Sequence, residues 1–297
     1  MNGYGPYLQH VSCNSFNDMT KYFFQLALLV SSLTSYSQKL DKLDDKDEIL
    51  HEARLLYRAE KASWHSTDHF LANLGSKIDL VRGYLSYVAL DGNTYSIFYT
   101  ENEKGDRAIV ARYQYGNPVT QNFSSLDTLD TRVSPHENKL IDLRVKTFEL
   151  ISENPDDFFQ FYENTAFNVI PIVNDVQFNV YVLTGPKVNG QVLLGNDYFL
   201  TFNSKMKLKK MKKLHNSLIQ IPYQGEYTKI KDTYHSHVVT DQITATDICT
   251  LLLYRDYVEW DTHIVIGKKF TSIFDIRREN LVIMKTEAFR KIGKNSN

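Results

Sequence analysis

The spacing of hydrophobic and polar positions divides the chain after residue 47 into a helical segment followed by strands. Residues 48–74 place Ile49, Ala53, Leu56 and Trp64 at helical spacing, which predicts one amphipathic helix or a pair of short ones. Three segments rich in β-branched and aromatic residues follow: GYLSYVAL, TYSIFYT and RAIVARYQY. Turn residues separate them, so the pattern predicts a three-stranded meander.

Residues 116–138 lose this periodicity and are rich in Ser, Thr, Asn, Asp and Pro, which is typical of a loop or linker. We predict a domain boundary there. Beyond it, the pattern predicts a helix over 140–151 and a short one from Asn154. The predicted strands are FNVIPIV, FNVYVLTG, QVLLG, YFLTF, SLIQI and KIKDTYHSH, followed by a helix over 245–257 and strands over 262–267, 270–276 and 281–284. This order predicts an α+β fold, a mixed β-sheet flanked by helices.

The amino terminus has the pattern of a secretory signal peptide. Lys21 provides a positive charge, 23–33 form an apolar run of about 11 residues, and Ser35-Tyr36-Ser37 provides a cleavage signal. A membrane-spanning helix needs about 20 residues, so a retained anchor is a weaker alternative, as is an ordinary buried helix. We expect translation from Met19, cleavage after Ser37 and a bacterial protein that is secreted or periplasmic, with no stable membrane span after cleavage.

The predicted organisation has three parts. Residues 1–37 are an upstream extension and signal peptide, 38–138 form an accessory region of helix, meander and linker, and 139–297 form the second α+β domain.

Composition limits the chemistry that the chain can perform. The formal net charge of −1 offers no excess of positive charge to attract nucleic acid, and we expect no nucleic-acid partner. Cys13 and Cys249 are the only cysteines, which excludes a disulfide scaffold and a cysteine-rich zinc module. Any metal ion must therefore be bound by histidines and carboxylates. The lysine-rich run 205–213 is interpreted as a solvated hairpin arm, with an anionic surface as the alternative partner.

The candidate chemistry lies between Tyr234 and Asp247. His235 and His237 are separated by one residue on a predicted strand, so both imidazoles point to the same face and can reach one ion. Asp247 enters a predicted helix ten residues later and can add an oxygen ligand. Two nitrogen ligands, one oxygen ligand and an open position for water are the arrangement of a catalytic zinc site. These residues predict a Zn²⁺ cofactor.

This segment resembles the JAB/MPN, or JAMM, metalloprotease family, whose motif is His-x-His, seven residues, then Ser-x-x-Asp. The match covers roughly residues 178–284, and it implies the layered α+β architecture of cytidine-deaminase-like proteins. The resemblance assigns His235, His237 and Asp247 to the metal and Thr244 to the catalytic serine position that stabilises the tetrahedral intermediate. It implies zinc-assisted hydrolysis of an amide, peptide or isopeptide bond, with a peptide or protein as substrate.

The segment departs from the motif in four places. Six residues instead of seven separate His237 from Thr244, Val238 replaces a proline, Thr replaces Ser, and no glutamate lies between Glu163 and Glu226. The motif's glutamate is the general base; Glu226, Asp175 and Asp197 are the acidic residues considered in its place, and none of them matches it, so the sequence identifies no catalytic glutamate. His215 precedes the His-x-His strand and is either a fourth ligand, which would close the site, or an ordinary polar histidine.

Two further pairs are interpreted as residues without catalytic chemistry, the first as surface or interface residues and the second as packing residues. His65 and His69 lie on one face of the first predicted helix but lack the glutamate of a helical metalloprotease motif. Glu60 and Trp64 are one helical turn apart, a spacing typical of packing. No phosphate-binding glycine loop or serine-hydrolase elbow is present in the sequence.

Three functions from different classes follow from these patterns. The first is an exported zinc metallohydrolase using His235, His237, Asp247 and Thr244. The second is a JAB-like binding module that has lost hydrolysis, with 38–138 as a recognition region. The third is an unrelated secreted structural protein in which these residues do not meet. The sequence leaves the substrate and the oligomeric state open.

Overall fold

A computed structural model describes residues 45–173, 178–223 and 230–295 of the protein. The signal peptide and cleavage site predicted within 1–37 lie outside the described residues. From Asp45 onward the chain forms one compact unit of the α+β class, with several sheets flanked by helices. In the described part of the chain, we find no helix with the length and apolar character needed to cross a membrane.

The described residues form four α-helices: α1 (Lys46–Leu74), α2 (Pro135–Glu153), α3 (Ala245–Tyr254) and α4 (Thr286–Asn295). The first sheet contains β1 (Gly83–Val88), β2 (Thr94–Glu101), β3 (Arg107–Tyr115) and β4 (Ser125–Asp127). The second sheet contains β5 (Thr165–Val173), β6 (Phe178–Pro186), β8 (Tyr198–Phe202) and β9 (Leu208–Lys213). A ribbon pairs β7 (Gln191–Gly195) with β10 (Leu218–Pro222). The last sheet contains β11 (Asp232–Ser236), β12 (Thr262–Ile266), β13 (Phe270–Asp275) and β14 (Asn280–Lys285).

The helix boundaries have local chemical causes. The side chain of Asp45 accepts a hydrogen bond from the Asp47 backbone and caps α1, which runs as one continuous helix. Ser134 and Glu137 form a capping box at the start of α2. That helix ends where Asn154 adopts the left-handed conformation, with φ 41°.

The sheets confirm most predicted strands and add one. β1, β2 and β3 form the predicted antiparallel meander, and the short β4 extends it from within the region predicted to be a loop. Only three residues pair there, too few to give a period-two signal. The lysine-rich strand β9 lies at the edge of its sheet, and its first three side chains are exposed.

The sheet that holds the site has one parallel pair. β11 and β12 are parallel, whereas β12, β13 and β14 pair antiparallel. Parallel neighbours require a crossover connection, and α3 lies in the segment between them. This connection brings the start of α3 back towards the end of β11.

The largest hydrophobic cluster joins the first helix to this crossover unit. Leu56 of α1, Leu252 of α3 and Val265 of β12 are buried in the same cluster. α1 thus packs against α3, the helix that follows the His-x-His motif. The domain division at residue 138 stays a prediction.

Candidate metal centre

The two histidines of the His-x-His segment lie side by side. His235 is in β11, and His237 follows the end of that strand. Their Nε2 atoms are 2.8 Å apart, and both residues are buried. Both rings therefore lie on one side of the sheet, as the two-residue alternation of side chains along a strand predicts.

Asp247 reaches the same space from the start of α3. Thr244 is the N-cap, and its backbone N–H and hydroxyl both donate to Asp247 Oδ2, at 2.8 and 2.7 Å. The Thr244 oxygen also accepts from the Asp247 backbone N–H at 3.3 Å. This capping box holds one carboxylate oxygen and leaves Oδ1 facing the histidines.

His215, in the connection between β9 and β10, completes the group. Its Nε2 lies 3.0 Å from Asp247 Oδ1. Gly195 packs beside this connection with φ 97°, and a side chain there would collide with the Ser217 carbonyl. The glycine therefore allows the connection to pack closely against β7.

One ligand atom from each of four buried residues lies within 4.8 Å of the other three, and this group could hold a metal ion; its members are His215, His235, His237 and Asp247. His235 Nε2 is 3.7 Å from Asp247 Oδ1, and His237 Nε2 is 3.4 Å from Asp247 Oδ2. Tetrahedral zinc with bonds of about 2.0–2.1 Å places its ligand atoms about 3.3 Å apart. The separations of these close pairs lie around that value, so the residues fit the ion.

Three atoms of the group lack hydrogen bonds despite complete burial. They are Asp247 Oδ1 and both ring nitrogens of His215. His215 Nε2 and Asp247 Oδ1 are close enough to bond, but their alignment does not meet hydrogen-bond geometry. Buried polar atoms are rarely left without a partner, and a metal ion between these two would provide one.

Comparisons with known proteins do not assign this site. No family model, curated protein or solved structure matches the chain. The chemistry of the site is therefore argued from its own geometry and charge.

A second layer of polar contacts orients the histidines. His237 Nδ1 lies 2.8 Å from the Gln242 carbonyl, so this nitrogen carries the proton and Nε2 is free to bind an ion. His235 Nδ1 lies 2.8 Å from His263 Nε2, and His263 Nδ1 lies 2.7 Å from the Thr233 hydroxyl. Both contacts are hydrogen bonds when His235 Nδ1 donates to His263 Nε2 and His263 Nδ1 donates to the Thr233 hydroxyl. In that arrangement His235 Nε2 carries no proton and is free to bind an ion.

His263 is a site residue that sequence reasoning missed. It is fully buried in β12, opposite Thr233 of the parallel strand β11. A histidine inside the apolar segment THIVIG was the available signal. Its relation to His235 depends on which strands pair, which no local pattern specifies.

The surroundings of His235, His237 and Asp247 favour the protonation states that metal ligands need. Burial lowers the pKa of His235 to about 4 and that of His263 to about 3, with Asp247 opposing both effects in part. Burial also lowers the pKa of His237. Burial alone would raise the pKa of Asp247, but the charges of His215 and His237 hold it well below its usual value. Neutral imidazoles and an ionised carboxylate are the binding forms.

His215 differs from the other histidines of the group. Burial lowers its pKa, but Asp247 and Asp197 outweigh that effect and raise the pKa overall. Asp197 Oδ2 lies 3.5 Å from His215 Nδ1, and Asp197 Oδ1 accepts from the Thr184 backbone N–H at 2.9 Å. Burial raises the pKa of Asp197 to about 6. Asp197 thus lies behind His215, in position to orient its ring.

The predicted residues outside this group have other surroundings. His69 contacts the Tyr113 hydroxyl at 3.0 Å and packs edge-on against Phe123, while His65 lies on the same helix α1. Neither is in the four-residue group. Glu226 and Asp175, two candidate replacements for the missing glutamate, lie outside the described residues.

A small cleft of about 40 Å³ opens onto the group. Its lining includes His215, His235 and His237, but neither Asp247 nor Thr244. Holding one water molecule takes roughly 10–15 Å³ of such a volume, so the cleft has room for a few water molecules.

Proposed function

We propose that this protein binds one zinc ion through His215, His235, His237 and Asp247, and that it is a binding module of JAB/MPN-like architecture that does not perform hydrolysis. The observation that supports this function is the position of His215, whose Nε2 lies 3.0 Å from Asp247 Oδ1. With His215 included, the protein supplies all four ligands of a tetrahedral site.

The donor set favours zinc over other common ions. Three imidazole nitrogens and one carboxylate oxygen suit a borderline ion such as Zn²⁺, whereas Mg²⁺ and Ca²⁺ prefer oxygen ligands. The closest pairs of ligand atoms, 2.8–3.7 Å apart, lie around the separation for tetrahedral zinc, and all the ligand atoms lie within 4.8 Å of one another.

The surroundings of the group favour binding over hydrolysis. Catalytic zinc sites keep a position for water, and here His215 would occupy it as the fourth ligand. No carboxylate is among the described residues that line the cleft, so none of those residues is a carboxylate base for a metal-bound water. The Thr244 hydroxyl bonds to Asp247 and caps α3, which supports a positioning role.

A zinc metallohydrolase is the second candidate function, and the cleft favours it. Zinc polarises a substrate carbonyl and lowers the pKa of a bound water when it expands to five ligands. In that case His215, His235 and His237 would face the cleft, and Thr244 would hold Asp247 in place. The substrate expected from the JAB/MPN resemblance is a peptide or protein amide.

Peptide cleavage by the zinc-loaded protein separates the two functions. A mixture of unstructured peptides is incubated with the wild type and with His237→Ala, and products are read by mass spectrometry. The binding module predicts no products beyond those of the variant, together with a four-coordinate cobalt absorption spectrum after zinc is exchanged for Co²⁺. Cleavage that His237→Ala abolishes would replace it with the hydrolase.

A further inference from the structure

A larger cavity lies apart from the candidate metal centre. Its volume is about 400 Å³, which is within the range of small-molecule sites. None of the four candidate metal ligands is part of its lining. The lining combines acidic, amide and aromatic side chains and includes no Lys, Arg or His among the described residues; the members that matter here are Glu60, Trp64, Asp68, Tyr84, Asn168 and Tyr254.

Glu60 is the buried acidic group of this cavity. The residue is 6% exposed, and Oε2 accepts one hydrogen bond from Asn168 Nδ2 at 3.0 Å. Arg144 acts on it through its charge, but the guanidinium donates to the Val169 carbonyl and no ion pair joins the two in the described structure. A buried carboxylate without a paired cation is costly.

One face of α1 arranges the acidic and aromatic groups along the cavity. Glu60, Trp64 and Asp68 follow one another at intervals of four residues, so they lie on the same side of the helix. Glu60 is buried, and Asp68 is exposed. A cation entering the cavity would therefore meet negative charge at both depths.

Aromatic rings provide the walls. Trp64 and Tyr254 contact edge-on, with ring centroids 5.6 Å apart, and Tyr84 also lines the cavity. Aromatic faces attract organic cations and also cover an apolar chain. The sequence predicts a packing role for Glu60 and Trp64. In the structure, both residues also line this cavity.

We propose that this cavity binds a primary ammonium group on a short apolar chain, with Glu60 as its counter-ion and Trp64, Tyr84 and Tyr254 around the chain. The ammonium group would come from a free alkylamine or from a lysine side chain. This site is independent of zinc, and it adds a ligand class to the binding module.

The test uses tryptophan fluorescence and calorimetry with defined probes at pH 8. Trp64 lines the cavity, and Trp260, the other tryptophan, is 1% exposed in the core. Hexylamine is compared with hexan-1-ol, which has the same chain without the charge. Acetyl-lysine methylamide, with its side-chain ammonium free, is compared with acetyl-norleucine methylamide to represent the peptide source.

The proposal predicts saturable binding of hexylamine or of the lysine probe, at least about tenfold tighter than its neutral partner, since one charge-assisted bond contributes more than 1.4 kcal/mol. Which probe binds identifies the source.

Glu60→Gln should weaken binding by about tenfold or more, whereas Glu153→Gln, an exposed control on α2, should not. Unchanged circular dichroism checks folding of both variants. Equal binding of charged and neutral probes, unchanged binding in Glu60→Gln, or no saturable binding of any probe would overturn the proposal.

Discussion

His215 Nε2 lies 3.0 Å from Asp247 Oδ1, yet neither atom makes a hydrogen bond. The two residues come from different parts of the chain, one beside β9 and the other at the start of α3. Both atoms face the space shared with His235 and His237, so the four side chains converge on one position. The structure thus favours a site with four protein ligands over the three-ligand site that the sequence predicts.

Replacing His215 should weaken zinc binding without removing it. His215→Ala leaves His235, His237 and Asp247, so we expect an affinity loss of more than about 100-fold, because loss of an outer contact alone costs about 10–100-fold. Competition with a zinc chelator measures this change, and His51→Ala, at an exposed position of α1, is the control. An affinity equal to that of the wild type would show that His215 is not a ligand.

His263 should affect the metal through His235. It holds His235 Nδ1 at 2.8 Å, and its removal frees that ring to rotate. We expect His263→Ala to lower zinc affinity by about 10–100-fold in the same chelator assay. Ile264→Ala, on the same strand, tests whether loss of packing alone has this effect. Equal losses in the two variants would contradict an orienting role.

Thr244 should act through its hydroxyl. Thr244→Ala removes the α3 cap and the bond to Asp247, which we expect to cost about 1 kcal/mol of unfolding free energy and to weaken zinc binding. Thr244→Ser keeps the hydroxyl and should behave like the wild type. Urea unfolding and zinc titration measure the two effects. A serine variant as impaired as the alanine variant would show that the methyl group matters instead.

Glu60 should make stability fall as the pH rises. Burial raises its pKa from 4.5 to about 7, while Arg144 and Asn168 partly oppose this. The folded protein therefore retains a proton that the unfolded chain loses between pH 4.5 and 7, and the penalty is complete above pH 7. A shift of this size corresponds to about 3 kcal/mol.

Glu60→Gln should remove that penalty. Urea unfolding measures the free energy of unfolding of the variant minus that of the wild type. We expect this difference to be about 2–3 kcal/mol larger at pH 8 than at pH 5. Glu153→Gln provides the exposed control. A difference between wild type and Glu60→Gln that is the same at both pH values would contradict the raised pKa.

The local parts of the site could be predicted from sequence. Alternation along a strand places His235 and His237 on one face, and the Thr-x-x-Asp spacing places Thr244 and Asp247 at a helix start. The helix α1 and most strands likewise follow from periodicity. These features depend on residues within a few positions of each other.

The contributions of His215 and His263 depend on tertiary structure. His263 reaches His235 only because β11 pairs in parallel with β12, and His215 reaches Asp247 because its connection packs against β7 at Gly195. Strand order and loop packing couple distant residues, so a single sequence does not specify them. The signal peptide and the JAB/MPN resemblance remain predictions.

Metal content tests the central claim most directly. The purified protein is analysed by elemental mass spectrometry after extensive dialysis against metal-free buffer, beside a His235→Ala/His237→Ala double variant. The account predicts about one zinc ion per wild-type chain and almost none in the variant, since four ligands bind a single ion. No metal in a folded wild type, or equal zinc in both proteins, would contradict it.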